Sequence, residues 1–330
     1  MRDTLKQLCE SFINNRDAIK NAFGWESTYL YPVCAALFTD KGQQVDVNKM
    51  RWCEDILKKQ VGLFSNFRGN SKLVMISMMA IEEDPQQKLK NSLEVYSLLN
   101  KYFYQSQYLP LVSMIITNMV KPQDYISIAE RTRKIYDIMK KNHPFLTSSE
   151  DSVFATLLAI SDLSDEHITE KTEKCYSILK PEFFSSNAVQ ALSHVLALST
   201  ESAEEKCEKT ILIFNKLRER GYKYGTNYEL STLGVLAMLP EESDDIIMDL
   251  IDVDGFLSNQ KGYGMFGIDK KQRLMHAGML VASDYIGNSN NLAMSSSAIN
   301  AAMSLVAAQQ AATVAVIAAS SAAAASAVAD

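Results

Sequence analysis

The feature that most constrains this chain is an internal period of about forty residues. An apolar stretch with a small residue near its end is spelled VMISMMAI at 74–81, FATLLAI at 154–160, LSHVLAL at 192–198 and LGVLAM at 233–238. Weaker copies are VCAAL at 33–37 and MIIT at 114–117. Ala36, Ala80, Ile116, Ala159, Ala197 and Ala237 are thereby spaced by 44, 36, 43, 38 and 40 residues. An aromatic anchor, Tyr96, Tyr136, Tyr176 and Phe214, has steps of 40, 40 and 38. A third anchor, Phe103, Phe145, Phe184 and Tyr222, has steps of 42, 39 and 38. Three anchors sharing one period mark a chain that stacks a supersecondary unit.

Each period reads as two helices. The first is apolar all round and belongs between neighbours. The second is amphipathic: between 88 and 99, Leu89, Leu93, Tyr96 and Leu99 share a face, while Lys88, Lys90 and Glu94 lie off it. Asp84-Pro85 and Ser202-Ala203-Glu204-Glu205 are helix starts with capping chemistry. The aromatics Phe145, Phe184 and Tyr222, each followed by small polar residues, are expected to plug the seams between units. The expected fold is all-α: about six α-hairpin repeats in a superhelix of the HEAT or TPR kind over residues 1–290, the last one irregular at 244–257. An alanine-rich helical segment follows at 291–330. With 13 glycines and 7 prolines, the chain has too few turn formers for an all-β protein.

From Tyr285 to Ala329 no residue is charged, and alanine dominates beyond 297. Alanine is the best helix former but adds little membrane-insertion energy. Gln309 and Gln310 interrupt the stretch, and no Lys or Arg flanks it. The expectation is a helix packed on the array or on its twin in a homodimer, not a bilayer span. The five cysteines are odd in number and none forms a C-x-x-C pair, which points to a reducing, cytoplasmic setting. The net charge of −6 and the scattered Lys and Arg argue against nucleic-acid binding.

The apolar repeat, the junction Gly221-Tyr222-Lys223-Tyr224-Gly225 and the ending Ala307-Ala308-Gln309-Gln310-Ala311-Ala312 within its alanine–serine stretch resemble an uncharacterised bacterial family, domain of unknown function 4003. The resemblance spans nearly the whole chain. It implies a bacterial cytoplasmic helical protein and carries over no activity, cofactor or catalytic residue.

Motifs with chemical meaning are sparse. Gly262-Tyr263-Gly264-Met265-Phe266-Gly267 spells the dinucleotide fingerprint, but no strand precedes it, so it reads as a junction between helices with Phe266 as seam aromatic. Lys270, Lys271 and Arg273 follow at a helix start and are candidates for a loose anion site. The acidic stretch Asp244, Asp245, Asp249, Asp252 and Asp254 lacks calcium-loop spacing and reads as a solvated helix face. His194, inside an apolar helix, is a core or groove-lining residue. Glu229, and Glu150 with Asp151, stand at starts of apolar helices, either as caps or at the mouth of a ring. No metal or other cofactor is expected. The sequence names no reaction. Its leading reading is a non-catalytic scaffold for a protein or peptide partner. The alternatives are an α/α-ring enzyme with a polar central pocket, and a structural protein that self-associates through the alanine-rich helix.

Overall fold

The computed structural model describes residues 1–63, 65–264 and 267–288. Among these are fourteen α-helices and no β-strand: α1 (Asp3–Ala22), α2 (Leu30–Asp40), α3 (Val47–Gln60), α4 (Lys72–Ile81), α5 (Pro85–Leu99), α6 (Leu109–Met119), α7 (Tyr125–Asn142), α8 (Ser152–Ile160), α9 (Asp165–Leu179), α10 (Ser186–Ala197), α11 (Ala203–Glu219), α12 (Leu230–Met238), α13 (Ser243–Ser258) and α14 (Lys270–Asn288). The alanine-rich segment 291–330 lies outside the described residues, and with it the expected packing or dimer helix. Among the described residues, no helix is long and apolar enough to cross a membrane.

All six apolar stretches fall in even-numbered helices. Every residue of α12 is buried, as are Leu73 to Ala80 of α4. The odd-numbered helices bury one face, so two layers result, even helices inside and odd helices outside. Their starts carry the expected caps. Asp84 accepts from the backbone N–H groups of Gln86 and Gln87, and Ser202 and Glu205 form a reciprocal capping box.

Each odd helix packs on the even helix that follows it, and each layer also packs on its own next member. The circuit then closes: α14 lies against α1 and α2, and α13 against α1. At this closure Arg2 reaches Asp249 at 2.7 Å and Asp284 at 2.8 Å. Phe12 meets the His276 ring at 6.5 Å, and the Arg16 guanidinium lies over Tyr263. A superhelix has two free ends, and here both are covered. The packed pairs number seven among the described residues, against about six expected, because α1 pairs with α2. Forty residues before Tyr96 stands Ile56, and forty before that Arg16, so the aromatic anchor gives no sign of the first two units.

Tyr222 packs against the core as expected, but the other two seam aromatics differ from the expectation by one or two positions. Phe145 and Phe184 are 99% and 98% exposed. The buried ring is Phe183, 3% exposed, which packs edge-on against Phe214 at 5.0 Å. Equivalent pairs are Phe67 with Tyr96, Phe103 with Tyr136, and His143 with Tyr176. The anchors Tyr96, Tyr136, Tyr176 and Phe214 are thus real seam residues, each receiving a ring from the preceding junction. The acidic stretch also departs from a solvated face. Asp249 and Asp254 are buried and bound by Arg2 and Arg273, so α13 uses its carboxylates to hold neighbours; it is also a regular helix where an irregular segment was expected.

A device towards the opposite helix ends ties five outer helices, α3, α5, α7, α9 and α11, to their inner partners. Lys88, expected off the buried face, is 6% exposed, and its ammonium donates to Met114 O at 2.9 Å and to the side chains of Thr117 and Asn118 in the second half of α6. Lys49 donates to Glu82 O past α4, and Arg131 to Ala159 O and Ser161 O at the end of α8. Lys171 donates to Ser199 O and Glu201 O past α10, and Lys206 and Lys209 to Ala237 O and Leu239 O past α12. The last carbonyls of a helix have no partner within it and carry the negative end of its dipole, so a cation there satisfies both.

Candidate functional site

The junctions that lead from an outer helix into the next inner helix gather on one face. Three consecutive ones line a single pocket of about 170 Å³: Leu146, Glu150 and Asp151 before α8, Ser185 and Asn187 at α10, and Asn227 and Tyr228 before α12. Phe154 and Gln190 form its inner wall. Local capping chemistry sets the carboxylates. Asp151 closes a 3-10 turn, Ser149–Asp151, and its Oδ2 accepts the Ser148 N–H at 2.7 Å. Burial pushes Asp151 up to about 7, with the adjacent Glu150 charge adding to the rise and the Lys140 charge opposing it. Glu150 is solvent-facing, and no hydrogen bond or ion pair engages its side chain among the described residues; the surrounding protein raises its pKa as well.

Glu229 is buried at the start of α12, where its Oε2 accepts the Asn227 N–H at 3.0 Å. It packs so closely on Gly225 that a Cβ there would meet the carboxylate at about 2.2 Å. Glu229 therefore braces the junction behind Tyr228. Among the described residues the junctions also carry the most exposed rings, Tyr104 at 98% with Phe145 and Phe184, and the earlier junctions carry the largely exposed Trp25 and Leu63. The seam reading placed Phe145 and Phe184 inside. A strict alternation of buried and exposed rings within a short loop has no periodic signature, which is why Tyr104 and this rim escaped the sequence.

The other candidates lie elsewhere. His194 is buried in α10 against the Phe154 ring and lines a small cavity of about 20 Å³ with His143, Thr172 and Glu173. That is room for one water. Its Nδ1 has no hydrogen-bond partner, and burial, aided by His143, holds its pKa down near 3. His194 is a core residue. The anion candidates do not converge. Asp269 already accepts the free N–H groups of Lys271 and Gln272 at the start of α14, and Arg273 is held by Asp254 through two bonds of 2.7 and 2.8 Å. Lys270 and Lys271 are exposed beside this internal cap. The glycine motif joins α13 to α14 with no strand before it. Gly262 and Gly264 have φ of 97° and 124°, which favour glycine, and Phe266 lies outside the described residues. Among the described residues no three His, Cys, Asp or Glu side chains converge as metal ligands would.

Known proteins agree with the sequence resemblance. The chain is 24% identical over 315 residues to the uncharacterised protein YeaA of Bacillus subtilis (strain 168), covering 92% of this chain and 91% of that one. No solved structure matches it. A family profile matches residues 15–311, nearly the whole span from the first helix into the alanine-rich segment, and the chain therefore belongs to the family described as Protein of unknown function (DUF4003).

Proposed function

We propose that this protein is a non-catalytic binding scaffold, a closed array of α-hairpin repeats that docks a protein or peptide partner on its junction face. The observation that carries the reading is the near-complete exposure of Tyr104, Phe145 and Phe184 in successive junctions, with Trp25 and Leu63 largely exposed in the two junctions before them. Rings of this size bury about 150–250 Å² each when covered. Left in water they contribute nothing to folding, and clustered exposed aromatics are what protein interfaces use as anchors. The five cysteines are free and buried, which supports a reducing, cytoplasmic setting.

The ring-enzyme alternative draws support from closure of the helix circuit. It needs a pair of carboxylates free to exchange protons. At the pocket Asp151 is committed to its cap and Glu229 to Asn227, which leaves Glu150 alone. The scaffold reading is tested by panning a random peptide library on the full chain and on a Tyr104→Ser, Phe145→Ser, Phe184→Ser variant. Peptides enriched on the parent chain and lost on a variant of unchanged stability are the expected result. No enrichment, or equal enrichment on both, would sink the reading.

A further inference from the structure

We infer that the pocket at the junction face receives one basic side chain, an arginine or a lysine, of the bound partner. The inference rests on the scaffold reading and specifies the chemistry of its central contact. Size is the first argument. A cavity of about 170 Å³ is smaller than the roughly 300–1,000 Å³ that accommodates a whole small-molecule ligand, and suits one long side chain.

Charge is the second. The ionisable carboxyl groups of the lining are Glu150 and Asp151, and no cation belongs to it. The nearby ammonium groups are turned onto backbone carbonyls, Lys140 onto Pro144 O and Thr147 O, Lys180 onto Phe183 O and Phe184 O. Among the described residues Glu150 has no partner, and a guanidinium or ammonium would supply one through charge-assisted hydrogen bonds. The walls are the third. Phe154 and Tyr228 present ring surface inside the pocket, and Phe145 and Phe184 are the sequence neighbours of the lining residues Leu146 and Ser185. Aromatic faces attract a cation and cover the aliphatic stem behind it. An acidic partner side chain would meet Glu150 as a like charge.

The test uses the full chain and three synthetic peptides, Gly-Phe-X-Phe-Gly, with X as arginine, as its uncharged isostere citrulline, and as glutamate. Isothermal titration calorimetry should show the arginine peptide binding about ten-fold more tightly than the citrulline peptide, the discrimination expected of one charge-assisted pair. Glu150→Gln should remove most of that preference. Because Glu150 is exposed and has no partner among the described residues, this variant should unfold at the same urea concentration as the parent. Failure of the arginine peptide to bind, equal binding of arginine and citrulline, or a preference that survives Glu150→Gln would overturn the inference. If the panned peptides lose binding in the triple serine variant while Glu150→Gln changes nothing, the pocket assignment falls and the docking face stands.

Discussion

Phe183 and Phe184 are adjacent in sequence and opposite in environment. Phe183 fills the seam against Phe214, while Phe184 touches almost nothing. Phe183→Ala should therefore cost about 3–5 kcal/mol, the usual loss for a buried ring, whereas Phe184→Ala should stay within roughly 0.5 kcal/mol of the parent chain. Urea unfolding of the two variants checks the pair, and equal losses would refute the seam geometry. His194 gives a second residue-scale test through pH. Its folded pKa is held near 3 by burial, below the ordinary value of 6.5. The unfolded chain then takes up a proton below pH 6.5 that the folded one refuses. The stability that neutral His194 permits is complete above pH 6.5 and falls as the pH drops towards 3. His194→Leu removes this liability. At pH 7.5 the variant should match the parent within about 1 kcal/mol, since Nδ1 has no partner to lose. At pH 4.5 it should be the more stable of the two by roughly 3 kcal/mol, at about 1.4 kcal/mol for each pH unit below 6.5. A gap that does not widen on acidification would show that the ring is not held neutral.

At the scale of the element, the hydrophobic period made the helices legible because burial on all sides leaves an unbroken apolar run. The cations that close the inner helices were not legible. A lysine at 88 reads as an outward residue, since an apolar pattern places charge in solvent, yet its stem lies along the core and its ammonium reaches Met114 O and the Thr117 and Asn118 side chains of α6. The same applies to Arg131 and Lys171. The pocket was half legible: its carboxylates Glu150 and Asp151, and Glu229 behind it, stood out as residues at helix starts. What assembles it is the proximity of junctions some forty residues apart, which no local motif encodes. The cation device predicts a specific loss. Lys171→Ala leaves Ser199 O and Glu201 O, in the turn after α10, without their donor, and should cost about 1–3 kcal/mol. Alanine at the exposed Lys174, one turn away on the same helix, should cost far less. Chemical denaturation of both variants is the check, and similar small losses would mean that water replaces the ammonium without penalty.

At the scale of the whole molecule, closure changes how stability is distributed. In an open array each unit leans on its neighbours, the terminal ones on one side only, and damage at an end frays that end. Here α14 packs against α1 and α2, so the described units have neighbours on both sides. Contacts such as Arg2 with Asp249 join residues 247 positions apart, and it is this span that the forty-residue period could not reveal. Phe12 lies at the closure, 2% exposed and against His276. Phe12→Ala should cost about 3–5 kcal/mol. In a closed circuit the slowest-exchanging amides open only when the circuit does, so the loss should reach helices far from the mutation. Native-state hydrogen exchange should show protection in α8 and α10 falling by the same free energy as in α1 and α14. If the loss were instead confined to α1, α2, α13 and α14, the ends would be unzipping independently, and the molecule would behave as an open stack whose ends merely touch.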